Sequence, residues 1–220
     1  MQDCRENISK FSLLSITTLS LKRLFDTIFS SIVLIFLSPL FLIIALIIRS
    51  SSKGNVIYSH ERVGKNGVPF LCYKFRTMYP DADERLQEIL EADPLKQAEW
   101  NTSHKLRNDP RVIPVGTFLR KTSLDELPQF WNVLKGDLSV VGPRPVTKEE
   151  VVKHFGPRAH KIFSVRPGIT GLWQVSGRSN TTYSERIAFE ERYVDNRSWL
   201  LDLKIVALTI PSMIFRKGAY

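Results

Sequence analysis

Asp125 and Glu126 stand side by side in the segment Arg120-Lys121-Thr122-Ser123-Leu124-Asp125-Glu126-Leu127-Pro128-Gln129, with two cations just upstream. Adjacent carboxylates of this kind can supply a nucleophile and a ligand for a divalent metal, the combination that phosphoryl transfer uses. A carboxylate is already ionised at neutral pH, so as a nucleophile it needs no general base. A purely structural reading also exists. Acidic side chains in a first helical turn complement the macrodipole, and Ser123 with Glu126 has the spacing of a capping box. A cap at Ser123 would put Pro128 past the positions whose N–H groups are free, so a helix starting nearer Asp125, with Pro128 in its first turn, fits better. Spacing alone leaves cap and catalyst both open.

Four further stretches hold positive charge on stiff or permissive backbone. In Gly142-Pro143-Arg144-Pro145 an arginine lies between two residues of fixed φ and has less freedom to lose on binding. Arg166-Pro167-Gly168-Ile169 has Pro and Gly at the central positions of a type II turn, with Arg166 at its entry. Gly171-Leu172-Trp173-Gln174-Val175-Ser176-Gly177-Arg178 ends in a small-residue step before a cation, suited to close approach by an anion. Lys74-Phe75-Arg76-Thr77-Met78 adds two strand cations. Taken singly, each is ordinarily a surface salt bridge. Together, near a carboxylate pair, they suit a diphosphate, because guanidinium forks match phosphate oxygens two at a time.

The elements that must position these groups are partly legible. Val56 to Val63 and Val68 to Arg76 flank Lys65-Asn66-Gly67, a hairpin signal, and in the second run Leu71, Tyr73 and Phe75 alternate with Cys72, Lys74 and Arg76. That predicts one apolar face and one face with two cations. Asp81 to Trp100 reads as an amphipathic helix carrying Leu86, Ile89 and Leu90, broken at Asp93-Pro94. From Val112 the pattern tightens through Phe118, Leu119, Leu124, Leu127, Phe130, Trp131 and Leu134 at helical spacing, ending at Gly136 as a left-handed cap. Leu138 to Val141 reads as a short strand, and Tyr183 to Val194 as a polar, Glu/Arg-rich helix.

With 220 residues the chain suits one domain with appendages. Its 31 Lys and Arg against 22 Asp and Glu give +9, pointing to an anionic partner: nucleic acid, an acidic membrane face or a phosphorylated substrate. Cys4 and Cys72 form neither a zinc motif nor a disulfide framework, and His60, His104, His154 and His160 are scattered without ligand spacing. Leu24 to Ile48 is strongly apolar, with Asp26 its one charge, and is long enough to cross a bilayer. Pro39 after Ser38 interrupts it, however, and both flanks are basic: Lys22 and Arg23 before, Arg49 and Lys53 after. A re-entrant path with both ends on the cytoplasmic side satisfies the charge rule; a plain signal anchor is the alternative. Trp199 to Phe215, interrupted by Asp202, Lys204 and Pro211, suits an interfacial helix or a buried core helix equally. The first 20 residues are expected to be irregular.

These residues resemble the bacterial sugar transferases, or monotopic phosphoglycosyl transferases, from about Lys22 to the C-terminus. The likeness is carried by Leu37-Ser38-Pro39-Leu40, Tyr73 to Met78, Leu119-Arg120 running into Ser123 to Gln129, Trp131 to Asp137, Val141 to Pro145, Val165 to Gly171 and Gln174 to Arg178. The resemblance implies an α+β fold: a membrane helix broken at Ser38 and Pro39 that re-enters the cytoplasmic leaflet, a small cytoplasmic domain with a short hairpin, and interfacial amphipathic helices. The corresponding boundaries are a flexible 1–21, a membrane helix over 22–53, a catalytic domain over 54–198 and a C-terminal helix over 199–220. It further implies a reaction. Asp125 attacks the β-phosphate of a UDP-sugar, UMP leaves, and undecaprenyl phosphate takes the sugar phosphate from the aspartyl intermediate. Glu126 would ligand Mg²⁺. Lys74, Arg76, Arg120, Arg144, Arg166, Gln174 and Arg178 would form the substrate-binding set.

The implied setting is the bacterial inner membrane, facing the cytoplasm, with membrane lipids, a UDP-sugar and the polyprenyl phosphate as partners. The stretch Ser176 to Tyr183 looks more like members handling galactose or glucose for exopolysaccharide or O-antigen. The rival is a membrane-anchored basic scaffold without catalysis. No recognition-helix or aromatic-stacking motif supports nucleic acid as a partner, since the cations sit at Pro and Gly turns. Oligomeric state stays open, a homodimer included.

Overall fold

Two apolar helices open the described part of the chain, α1 (Leu21–Phe36) and α2 (Ser38–Ser51), and the chain bends by 60° at Leu37 between them. The computed structural model describes residues 21–103, 106–177 and 181–214. The expected irregular N-terminus and Arg178 lie outside the described residues. The break falls one residue before the Ser38-Pro39 pair. Pro39 lacks an N–H and is harmless in a first helical turn, so it opens α2 instead of kinking a continuous helix. Among the described residues no single helix is long and apolar enough to cross a membrane.

The chain divides into two compact units. The first takes residues 21–37, 60–72 and 129–214; the second takes Ser38–Ser59 and Tyr73–Pro128. In the first unit α1 is amphipathic in an unusual sense. Leu24, Ile28, Ile32 and Ile35 lie exposed along one stripe, while its charged residues dock into protein. Lys22 pairs with Asp202 at 2.6 Å. Arg23 donates to the Val133 carbonyl and, at 2.6 Å, to that of Leu134. Asp26 accepts from Ser139 Oγ at 3.1 Å and from the Val140 N–H at 3.0 Å.

Strand β3 (Ser139–Val141) pairs in parallel with β4 (Gly168–Thr170), Ser139 opposite Gly168 and Val141 opposite Thr170. The type II turn expected at Arg166 to Ile169 is therefore corrected: Gly168 is a strand residue, and a Cβ there would lie 2.0 Å from the Gly142 nitrogen. Glycine is needed for backbone approach, not for a turn. Around this pair lie α6 (Gln129–Lys135), α7 (Lys148–Glu150), α8 (Arg158–Ile162), α9 (Leu172–Ser176), α10 (Tyr183–Asn196) and α11 (Trp199–Ile214). One core gathers Val133, Leu138, Val140, Val141, Tyr193 and Ile205, and a second Val146, Phe155, Ile162, Phe163 and Ile187. α11 buries Asp202 and Ile205 and exposes Leu200 and Ile210.

The hairpin of β1 (Ile57–Val63) and β2 (Pro69–Phe75) forms as expected, with Asn66 at φ 56° and Gly67 at φ 80° in its tip. The expected face alternation does not hold, since Leu71 is exposed and Cys72 buried, while Phe75 and Arg76 are both buried. The strand passes from the first unit to the second after Cys72, so its two halves serve different cores. The second unit adds α3 (Ala82–Ala92), α4 (Pro94–Ser103), separated at Asp93, and α5 (Pro114–Thr122). Its core is Ile44, Ile48, Phe75, Ile113 and Leu119, with Phe41, Leu124 and Leu127 packed against it. The helical spacing read from Val112 to Leu134 is interrupted, and the helix start expected nearer Asp125 falls after Pro128. α5 ends at Ser123, a one-turn 3-10 segment covers Leu124–Glu126, and α6 follows Pro128. Phe118 and Trp131, two of the apolar residues at that spacing, are exposed. Gly136, at φ 92°, does end α6.

Candidate active site

In the second unit, Ser123 enters the left-handed region (φ 57°, ψ 17°), its N–H closing α5 on the Arg120 and Leu119 carbonyls. The chain is thereby turned into the 3-10 segment, where Leu124 and Leu127 drop into the core. Asp125 is held between them and is 7% exposed. The capping box that spacing allowed at Ser123 and Glu126 is not formed; such boxes occur instead at Thr147 with Glu150 and at Thr182 with Glu185. Lys74 from β2 bonds Glu126 Oε1 at 2.7 Å and lies 3.8 Å from Asp125 Oδ2. One ammonium thus serves both carboxylates, offsetting the repulsion between neighbouring anions.

Arg120 is brought in by close backbone packing. Gly116 in α5 lies where a Cβ would be 2.3 Å from the Thr77 carbonyl oxygen, so the helix rests directly on the segment after β2. One turn on, Arg120 Nε donates to Thr77 Oγ1 at 2.8 Å. Burial lowers the pKa of the Arg120 guanidinium, and the Asp125 and Asp109 carboxylates counteract it. Behind it Arg111 makes a two-pronged pair with Asp109, Nε to Oδ1 at 2.9 Å and Nη2 to Oδ2 at 2.7 Å. Burial pushes Asp109 up, but these bonds outweigh it and hold the carboxyl below its ordinary range. Sequence reading passed over Gly116, Asp109 and Arg111; the Asp109-Pro110-Arg111 turn was the available signal.

The remaining expected binding residues divide by what they hold. Arg76 is buried and committed to backbone, donating to the Asn55 and Ser52 carbonyls and, at 2.7 Å, to Ser52 Oγ. In the first unit, Arg166 Nε donates to the Gly136 carbonyl at 2.7 Å, and buried Gln174 donates to that of Ile169 at 2.6 Å. Arg144 gives its backbone N–H to Glu190 Oε1 at 3.0 Å. Glu190 and Arg186 were hidden inside what read as a polar helix, although Tyr183, Arg186, Glu190 and Tyr193 share one helical face by spacing. Arg186 lies over the Trp173 ring at 4.5 Å. A cavity of about 530 Å³ in the first unit, lined by Arg62, Lys148, Val151, His160 and Phe163 among others, contains none of these residues.

For a divalent metal, no cluster of three or more His, Cys, Asp or Glu exists among the described residues. Mg²⁺ characteristically takes only one or two protein carboxylates and completes its shell with water and substrate phosphates. Glu126, whose side chain keeps 16% of its surface exposed, is a donor set of that size, so the residue fits.

The second unit thus gathers a carboxylate pair, one lysine and a partly buried arginine network within a short stretch of structure. The family model described as bacterial sugar transferase matches residues 17–216. The exopolysaccharide production protein ExoY of Sinorhizobium fredii is 47% identical over 199 residues, covering 90% of this chain and 88% of its own. The undecaprenyl-phosphate galactose phosphotransferase of Salmonella typhimurium is 46% identical over 200 residues, 91% of this chain and 42% of that one. The UDP-glucose:undecaprenyl-phosphate glucose-1-phosphate transferase of Escherichia coli is 38% identical over 207 residues, 91% of this chain and 41% of that one. The chain belongs to the bacterial sugar transferase family. It is a phosphoglycosyl transferase.

Proposed function

We propose that the chain transfers a hexose 1-phosphate, galactose or glucose, from a UDP-sugar to undecaprenyl phosphate, giving undecaprenyl diphosphate sugar and UMP and initiating exopolysaccharide or O-antigen synthesis. The observation that carries this reading is Asp125, a nearly buried carboxylate beside Lys74 and within the field of Arg120. In the first step an Asp125 oxygen attacks the β-phosphorus of the donor. The bond from that phosphorus to the bridging oxygen breaks and UMP departs. In the second step a phosphate oxygen of the polyprenyl phosphate attacks the same phosphorus, and the bond to Asp125 breaks to restore the carboxylate. One phosphoanhydride is exchanged for another, so the protein's task is alignment and neutralisation of charge.

Lys74 lies within ion-pair distance of both carboxylates, and Arg120, anchored by Thr77, is poised to balance charge on the transferred phosphate. Glu126 would hold Mg²⁺, which when bound supplies further neutralisation of the diphosphate. Arg144 and Arg178 are assigned phosphate binding by their motifs, whereas the backbone bonds of Arg76 and Arg166 support a bracing role.

A seat on the cytoplasmic leaflet of the inner membrane is supported by the exposed aliphatic stripe of α1 and the exposed Leu200, Leu203, Leu208 and Ile210 of α11. Docking of Lys22, Arg23 and Asp26 into protein ties the start of α1 down, which favours re-entry over spanning. The test is UMP release from a panel of UDP-sugars by membranes carrying the protein, with Asp125→Asn as control. Donor alone is expected to leave a sugar-phosphate adduct on the wild-type chain by intact mass. Turnover by the folded Asn variant would overturn the assignment.

A further inference from the structure

Pro143-Arg144-Pro145 has a single backbone N–H, because neither proline carries one. That hydrogen goes to Glu190 Oε1 at 3.0 Å. Upstream the chain is pinned by β4: the Gly142 N–H donates to the Thr170 carbonyl at 2.9 Å, and the Gly168 N–H to that of Pro143 at 2.8 Å. Downstream Val146 is fully buried and its carbonyl accepts from the Val63 N–H at 2.9 Å. Arg144 is the link between these two anchors, and its one amide bond runs to the middle of α10.

A carboxylate is a costly group to use for that bond. Glu190 is 1% exposed, and its Oε2 has no hydrogen-bond partner among the described residues. Arg186, one turn earlier on α10, and Arg144 both act on it with favourable charge, yet burial prevails and pushes its carboxyl up to about 7. Helix packing alone is served at lower cost by an apolar side chain. We infer that Glu190 is a positioning residue, which fixes the Pro143-Arg144-Pro145 turn through the Arg144 amide and so aims the Arg144 guanidinium at substrate phosphate. This rests on the phosphate-binding role proposed for Arg144. Glu190 itself touches no reacting atom.

Two conservative variants separate position from charge. Glu190→Asp keeps the charge and withdraws the acceptor by about one methylene; Glu190→Gln keeps an acceptor in place and removes the charge. In steady-state UMP release by the full chain in membranes, Glu190→Asp is expected to lose about 100-fold in kcat/KM, the scale of an ångström-sized misplacement, and Glu190→Gln about tenfold. Adding Arg144→Ala to Glu190→Asp is expected to lower kcat/KM no further than Arg144→Ala alone, while melting temperatures stay additive. A merely structural role would give additive losses in both. Additive kcat/KM losses, or a deeper loss in Gln than in Asp, would overturn the inference. If the Asp variant does not fold, the same cycle with Gln decides the question by the same criterion. Asp125→Asn in parallel separates the two levels: a dead Asn variant beside a fully active Arg144→Ala removes this inference alone, whereas an active Asn variant removes the proposed reaction and this inference with it.

Discussion

Asp125 and Glu190 are buried carboxylates next to arginine, one in each unit, and they are held by different means. Asp125 lies in a three-residue turn behind a left-handed serine, with an ammonium 3.8 Å from one oxygen and a second cation acting from α5. Glu190 lies inside a 14-residue helix, with one oxygen on a backbone amide and the other without a hydrogen-bond partner among the described residues. A short turn places a carboxylate beside cations, the setting the proposed nucleophilic role calls for. A helix interior leaves it immobile and poorly compensated, which suits a group that fixes something else. On the roles proposed above, the same chemical pair serves opposite ends according to the backbone beneath it.

The comparison breaks most sharply at Asp125. Asp125→Asn is expected to reduce UMP release by at least about a thousandfold while the protein stays folded, since the amide is no nucleophile. Circular dichroism and donor-only mass spectra check both halves of that statement. Next comes the pH response of Glu190. A carboxyl raised from 4.5 to about 7 in the folded state contributes stability that is present in full below pH 4.5 and is lost as pH rises through about 7. The loss amounts to roughly 3 kcal/mol for a shift of this size. Glu190→Gln is expected to flatten that part of the profile, read as denaturant midpoints across the range; an unchanged slope would deny Glu190 its buried titration.

Lys74→Met is expected to lower kcat/KM by about 10- to 100-fold, because two adjacent carboxylates then face one another without their shared cation. Steady-state kinetics would show it. Gly116→Ala is expected to cost roughly 2 kcal/mol in urea unfolding, as its Cβ would meet the Thr77 carbonyl at 2.3 Å and lift α5, taking Arg120 with it. The smallest effect is at the left-handed residue before the turn. Ser123→Gly is expected to raise stability by about 0.5 kcal/mol by removing strain at φ 57°.

Features set by a few neighbouring residues were readable from the chain alone. The Asn66-Gly67 tip, the stop at Asp93-Pro94, the left-handed Gly136 and the break beside Ser38-Pro39 all follow from local φ, ψ and missing N–H groups, and the structure displays each of them. The carboxylate pair and its neighbouring cations were likewise visible as residue types. What local reading could not supply was partnership. Lys74 reaches Glu126 across 52 positions and Arg144 reaches Glu190 across 46, while Arg76 and Arg166, equally promising as cations, donate to carbonyl groups. The run from Val112 to Leu134 kept helical periodicity through a break, because buried leucines recur at similar spacing whether the backbone is α-helical or turns at Ser123.

By itself, then, the order of residues determined the backbone punctuation, the chemistry on offer and the family. Tertiary structure alone decided which cations approach Asp125, which donate to backbone carbonyls, and that a carboxylate inside a polar-looking helix accepts the Arg144 amide. The physical reason is range: backbone preference is settled within a turn or two, whereas a buried charge must find its partner wherever folding brings one.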